Sequence, residues 1–278
     1  MDGGRIVFMK IYFRMKDEFL YFKKLIEHKN IVINETKNQI GFTIQIKHLP
    51  NQQLIAYFIN VYIRFRFQSQ IKKIIRKKYF YTNETDGERI LEWTNWLLQE
   101  RSFIKEQFNN RTLFEHLTKL FLDQSRNIPV TDGYIYFDTF ILFQFRSFHQ
   151  DLIDIVGYAI DEMRREEEHQ RYIHSVRHYI TNRNPKCSVL HVLQGETLEF
   201  YSSLGRKYTP KQIHEAMLKE PLYMIGLDEN ETHLAPVISL LPRRLYIYGD
   251  NPFETKTLVI LNVFQERAQL LSQKQFPF

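Results

Sequence analysis

Cysteine is nearly absent: one residue, Cys187, in a chain of 278. That excludes an intrachain disulfide framework, a zinc-finger pattern and a CxxC redox motif, and makes a reducing compartment the default. Glycine is scarce as well, with ten scattered residues, and no GxxxxGK[ST], strand-borne GxGxxG, HExxH or GxSxG is present. The common phosphate-cradling, zinc-hydrolase and serine-nucleophile signatures are therefore missing. Long apolar runs are also lacking. The longest uncharged stretch, His48 to Ile63, falls short of the roughly 20 residues that a spanning helix needs, and the apolar run before Lys10 is far below a signal-peptide core. These absences lead us to expect a cytoplasmic protein without a transmembrane segment. No cofactor and no metal are expected.

Acidic residues are missing from one long interval. None occurs between Glu35 and Glu84, which encloses Lys37, Lys47, Arg64, Arg66, Lys72, Lys73, Arg76, Lys77 and Lys78. Residues 1–130 carry 22 Lys+Arg against 13 Asp+Glu, a net +9, whereas residues 131–278 carry 16 against 19, a net −3, which together give the +6 of the whole chain. A field of that sign attracts phosphate-rich or acidic surfaces.

What is present is apolar mass in periodic order: 44% hydrophobic and 15% aromatic residues, enough for a bulky core in a globular rather than disordered chain. Arg5–Phe13 reads as a strand, 16–29 as a helix, and 31–33 and 40–47 as short strands, the last alternating Ile40, Phe42, Ile44 and Ile46 on one face. After Pro50 the pattern turns helical from Gln52 to about Phe80. This β-α-β-β-α start needs a fourth strand to become ferredoxin-like, and the residues do not locate one.

A turn at 83–87 leads to helices marked by Ile90–Leu98 and Leu113–Phe121, and Pro129 and Asp132-Gly133 break the helical middle. The aromatic run Tyr134–Phe145 has the composition of a strand or a buried irregular segment. Leu152, Ile155, Val156, Ala159, Ile160 and Met163 form the clearest amphipathic stripe, continued or restarted through Tyr172, Ile173, Val176, Tyr179 and Ile180.

Beyond Pro185, 188–194 and 197–202 read as a hairpin about Gly195. Thr209, Pro210 and Gln212 spell a capping box for a helix over 211–219. His233–Leu241 reads as a helix and Arg243–Tyr248 as a strand. Glu254–Arg267 reads as a last helix, with strand as the alternative for its run Thr257-Leu-Val-Ile. The expectation is a helix-rich α+β protein in three regions: a basic β-α-β-β-α region at 1–82, a helical region at 83–183, and a C-terminal α/β region at 184–278 whose core includes Leu190, Val192, Leu245 and Ile247.

Four sets of residues could carry chemistry. The carboxylates of Asp151, Asp154, Asp161 and Glu162 lie opposite the apolar stripe, as a solvated face does, and a paired acid/base role would require burial to separate their pKa values. His174 and His178 are four apart and Glu166 and His169 make one ExxH, but a carboxylate-bridged bundle site needs a second ExxH that is missing, so no metal is assigned. His191 sits between apolar neighbours in Val189–Leu193, and a pocket joining it to Arg243 or Arg244 would mark an enzyme of unfamiliar type.

The basic segment is the fourth set. On a helix Ile71, Ile74 and Ile75 form one stripe, and Lys72, Lys73, Arg76 and Lys77 cover the other side. With Arg64, Arg66 and Lys78 they could engage a nucleic-acid backbone, an anionic membrane surface or an acidic protein, or stand as a solvated face.

From Leu113 onward the order of segments resembles the YtxC-like family of spore-forming bacteria. The resemblance rests on Ile128-Pro-Val-Thr-Asp-Gly-Tyr-Ile-Tyr-Phe137, the aspartate-bearing helix from Phe148 to Met163, Val-Leu-His-Val at 189–192, the hairpin at Gly195, the run from Leu234 to Tyr248, and Leu-Asn-Val-Phe at 261–264. It covers roughly the C-terminal 160 residues and, more loosely, the whole chain. The family is regarded as sporulation proteins without an assigned activity, so the resemblance implies a process and no reaction: a sporulation-associated, non-enzymatic interaction protein. Many members end in a short cysteine-containing tail, whereas this chain ends in Gln275-Phe-Pro-Phe278, so no metal or redox role of such a tail carries over.

Overall fold

The computed structural model describes residues 8–27, 32–37, 40–47, 49–124, 130, 133–228 and 230–278. Arg5–Val7 of the expected first strand, Ile31, and the breakers Pro129 and Asp132 lie outside the described residues. The chain divides into two compact units, Met1–Arg164 and Arg165–Phe278, each with its own hydrophobic core. The architecture is α+β.

The first unit opens with β1 (Phe8–Phe13), α1 (Lys16–Ile26), β2 (Val32–Lys37) and β3 (Phe42–Lys47). β3 lies antiparallel between β1 and β2, with Ile11 opposite Ile44 and Phe13 opposite Phe42. Alternation turns Ile11, Phe13, Ile44 and Ile46 to the core, where α1 adds Phe19, Phe22 and Ile26.

Five helices follow among the described residues: α2 (Asn51–Phe65), α3 (Phe67–Lys77), α4 (Glu84–Leu97), α5 (Arg101–Phe108) and α6 (Leu113–Gln124). The single helix expected over 52–80 is thus two, broken at Arg66. Asn83 caps α4 by accepting from the Thr85 amide at 3.0 Å.

The fourth strand is the first part of the aromatic run. β4 (Tyr134–Tyr136) pairs with β1 in the order β2-β3-β1-β4. A single-helix crossover from β3 would return the chain parallel to β3. Here the helices α2 to α6 intervene, and β4 runs parallel to β1 with Ile11 opposite Ile135. The rest of the aromatic run is helical, because α7 (Phe137–Thr181) starts at once and continues unbroken through the stripe at 152–163 to Ile180. Phe13, Phe22, Phe58, Phe137 and Phe140 pack ring against ring with centroids 4.8–6.3 Å apart, an aromatic core tying the sheet to α2 and α7. Gly157 leaves room for the Tyr79 ring, whose hydroxyl donates to the Ile153 carbonyl at 2.9 Å and pins the chain just after α3 onto α7.

The chain passes into the second unit within α7. Its sheet, ordered β6-β5-β7-β8, consists of β5 (Cys187–Leu193), β6 (Glu199–Ser202), β7 (Pro242–Tyr248) and β8 (Ala268–Leu271). β6 is antiparallel to β5, while β7 and β8 continue in parallel. Leu190, Val192, Leu245 and Ile247 are all buried, as alternation predicts. α8 (Pro210–Leu218) carries the capping box, and α9 (Leu234–Leu240) and α10 (Thr255–Phe264) complete the unit. The β-branched run 257–260 is therefore helical, and the strand lies just beyond it at β8, which the sequence reading does not place.

Candidate functional site

The basic segment is built by α2 and α3. Ile71, Ile74 and Ile75 are buried as their spacing requires, which leaves Lys72, Lys73, Arg76, Lys77 and Lys78 exposed, with Arg64 exposed at the end of α2. Among the described residues none of these six has a carboxylate partner.

Arg66 has a different role. Its guanidinium grips Glu18 in bidentate fashion, Nε to Oε1 at 2.5 Å and Nη2 to Oε2 at 2.6 Å, and also meets Asp138 at 2.5 Å. Glu18 is buried, and the Phe137 ring lies 5.0 Å from the guanidinium carbon. Its carboxylate partners and burial act on Arg66 in opposite directions, and the net result is a guanidinium held more firmly protonated. This residue joins α1, the α2–α3 break and α7, so it is a structural tie rather than a free anion contact. The acid-free interval is compensated at this point by residues from elsewhere in the chain.

The remaining cations divide between two clefts. Lys72 and Arg76 line a depression of about 170 Å³ with Ile75, Tyr81, Glu84 and Glu88, so carboxylates at the start of α4 share their surroundings. Lys73 lies on the other side, in a cleft of about 700 Å³ bounded by α2, α3 and the first part of α7. Its apolar wall contains Ile141, Leu142, Phe143, Phe145 and Leu152, and its polar lining includes Arg66, Lys73, Arg146 and His149. Leu142 and Phe143 are strongly exposed, at 75% and 61%.

Tyr62, fully buried, also lines this cleft, and its hydroxyl has no hydrogen-bond partner among the described residues. Burial pushes that phenol far above its ordinary range. The sequence reading missed this cleft. Its signal is an apolar pair, Leu142-Phe143, out of phase with the buried positions Ile141, Phe148 and Leu152 of the same helix.

His191 is buried on the sheet of the second unit. Its Nδ1 lies 2.8 Å from the Tyr248 hydroxyl, and its ring stacks on Tyr246 and Tyr248 and meets the edge of Phe278. Burial lowers its pKa. Arg243 and Arg244 are exposed, and neither is among its polar contacts. On α7, His169, His174 and His178 are exposed, and His178 meets the side-chain amide of Asn182. Asp154 accepts from Gln150 at 3.0 Å, and Asp151 approaches His116 at 3.6 Å. Among the described residues no three His, Cys, Asp or Glu side chains converge as metal ligands, and no helix is long and apolar enough to cross a membrane.

Comparison with known proteins joins both units in one assignment. An uncharacterised protein of Bacillus subtilis (strain 168), YtxC, is 24% identical over 280 residues, covering 96% of this chain and 95% of its own length. No solved structure matches. The sequence model of the YtxC-like family matches residues 52–269, from the start of α2 to β8 and therefore well upstream of the Leu113 motifs. The chain belongs to the YtxC-like family.

Proposed function

We propose that this is a non-enzymatic, sporulation-associated interaction protein whose first unit offers the exposed cations of α3 to an anionic partner. The observation that supports the reading is that Lys72, Lys73, Arg76, Lys77 and Lys78 project into solvent without carboxylate partners among the described residues. The sporulation part rests on what the family resemblance implies. The non-enzymatic part draws support from the surroundings of His191, which are aromatic rings and one phenol rather than convergent arginines.

Binding of the full chain to phosphatidylglycerol vesicles, phosphatidylcholine vesicles and duplex DNA over a salt series tests the reading. The expected result is salt-dependent binding to an anionic surface that is lost when Lys72, Lys73, Arg76 and Lys77 are all changed to Gln. If DNA is the partner, four phosphate contacts give a slope of about −3.6 in log affinity against log salt. Binding to neither polyanion would reduce the lysines to a solvated face and overturn the anionic-partner reading. Unchanged yield of heat-resistant spores after gene deletion would remove the sporulation part, and a turnover abolished by His191→Ala would remove the non-enzymatic part.

A further inference from the structure

We propose that the cleft between α2, α3 and the first part of α7 is a binding site for a single-chain amphiphile with an anionic head, of the long-chain carboxylate class. The inference rests on the anionic-partner reading and names the chemistry of that partner. Three observations carry it. The wall is apolar and partly open, with Leu142 and Phe143 exposed beside Ile141, Phe145 and Leu152. Lys73 and Arg146 stand in the same lining, exposed and without carboxylate partners among the described residues. Tyr62 contributes a buried hydroxyl with no hydrogen-bond partner among the described residues, and a group in that condition gains most from an acceptor brought by a ligand.

Shape and hydrogen-bond inventory select the class. A volume of about 700 Å³ falls within the range of small-molecule sites, and a concave cleft admits a chain rather than resting on a bilayer. With Arg66 held by its carboxylates, the donors left in the lining are Lys73, Arg146 and Tyr62. Acceptors are fewer: Asp138 is already held by Arg66, which leaves the Gln70 amide and the His149 ring. A peptide segment would bring amide N–H groups needing acceptors, at a cost for each left unmet. An alkyl carboxylate brings two acceptor oxygens and no donor. Its head would meet Lys73, Arg146 and the Tyr62 hydroxyl, and its chain would cover Leu142 and Phe143.

The test is calorimetric titration of the full chain with monomeric myristate, with tetradecanol as the uncharged analogue. We expect one myristate per chain and at least about tenfold weaker binding of the alcohol. Tyr62→Phe and the pair Lys73→Gln/Arg146→Gln should each weaken myristate about tenfold, while Lys211→Gln/Lys219→Gln, exposed on and just after α8 in the second unit, should leave it unchanged. Circular dichroism melts establish that each variant is folded, and Phe143→Ser, at an exposed position, provides a second lesion with little risk to the core.

Absence of myristate binding, or affinity indifferent to both the Tyr62 and the Lys73/Arg146 changes, overturns the proposal. If myristate fails while salt-dependent binding to vesicles or DNA persists, the cleft assignment falls and the anionic-partner reading stands. If all three fail, both fall.

Discussion

In the second unit Glu220, nearly buried, gathers the Tyr179 hydroxyl at 3.1 Å, the Arg183 guanidinium at 2.5 Å and the Lys186 ammonium, and Lys207 is likewise held by Glu199 at 2.5 Å. In the first unit Arg66 is bound in the same manner by Glu18 and Asp138, yet the lysines of α3 a turn or two further on have no such partner among the described residues. The cores differ in parallel. Eighteen of the 23 phenylalanines fall in residues 1–164, leaving five for the second unit, whose core is built mainly from Ile, Leu and Val. The lesson is where to look for a ligand: cations already held by carboxylates organise a fold, whereas unheld cations beside an open apolar wall remain available to bind one.

The sharpest way to break this comparison is to cut the aromatic core. Phe58 is fully buried against Phe13, Phe22, Phe137 and Phe140. Phe58→Ala should destabilise the first unit by about 4 kcal/mol, from lost burial plus the cavity left behind. Both tryptophans, Trp93 and Trp96, are in α4, so the shift should appear in the urea midpoint read by their fluorescence. A change below about 1 kcal/mol would mean that the ring cluster does not bear the unit's stability.

Next in size is the Glu220 cluster. Glu220→Gln leaves Arg183 and Lys186 without their carboxylate, and because both are about one-third or more exposed, water recovers part of the loss. A cost of about 2 kcal/mol is expected, below that of breaking a fully buried pair. Tyr179, pushed up to about 12 by burial together with the Glu220 contact, should titrate lower in this variant, as followed by phenolate absorbance. The far-UV transition should move more than the tryptophan midpoint. An equal shift in both would show that the two units unfold together.

These cases also show what the sequence could convey. Local periodicity was legible: the stripe Ile71, Ile74 and Ile75, the alternation in β5 and β7, and the capping box at Thr209 all depend on neighbours within a turn or a pleat. β4 and β8 were not legible, because Tyr134–Tyr136 and Ala268–Leu271 are too short to show a period and exist through long-range pairing with β1 and β7. Arg66 was misread for the same reason. Its counter-charges come from α1 and α7, and an interval without acids along the chain is not an acid-free region in space. The cleft had a trace in the sequence, the exposed Leu142-Phe143 pair, but Tyr62 could not be recognised as an unmet donor without the structure.

Tyr62 gives a smaller prediction of unusual sign. Its buried hydroxyl has no partner among the described residues and so pays its desolvation with no return, and Tyr62→Phe should stabilise the ligand-free protein by about 1 kcal/mol. Fluorescence-detected urea unfolding would register the gain. Destabilisation would mean that the hydroxyl is already satisfied, removing one of the three supports of the cleft proposal. A gain in stability together with weaker myristate binding would be the trade expected where a site holds an unmet group for its ligand.

The smallest effect compares the units through pH. His116 in the first unit and His191 in the second both have lowered pKa values, chiefly through burial, although Asp151 partly opposes the shift at His116. A histidine whose folded pKa lies below its unfolded value binds fewer protons when folded. Its neutral form is what the fold accommodates, so the contribution to stability is complete above the unfolded value of about 6.5 and declines as pH falls below it, until the folded pKa is passed. Lowering pH from 7.5 to 5.5 should therefore weaken both units. His191→Gln keeps a polar partner for Tyr248 without the titration, and should flatten the decline in the far-UV transition while leaving it intact in the tryptophan midpoint; His116→Gln should do the reverse. A decline that survives both substitutions would place the acid sensitivity on other groups and break the comparison at this point.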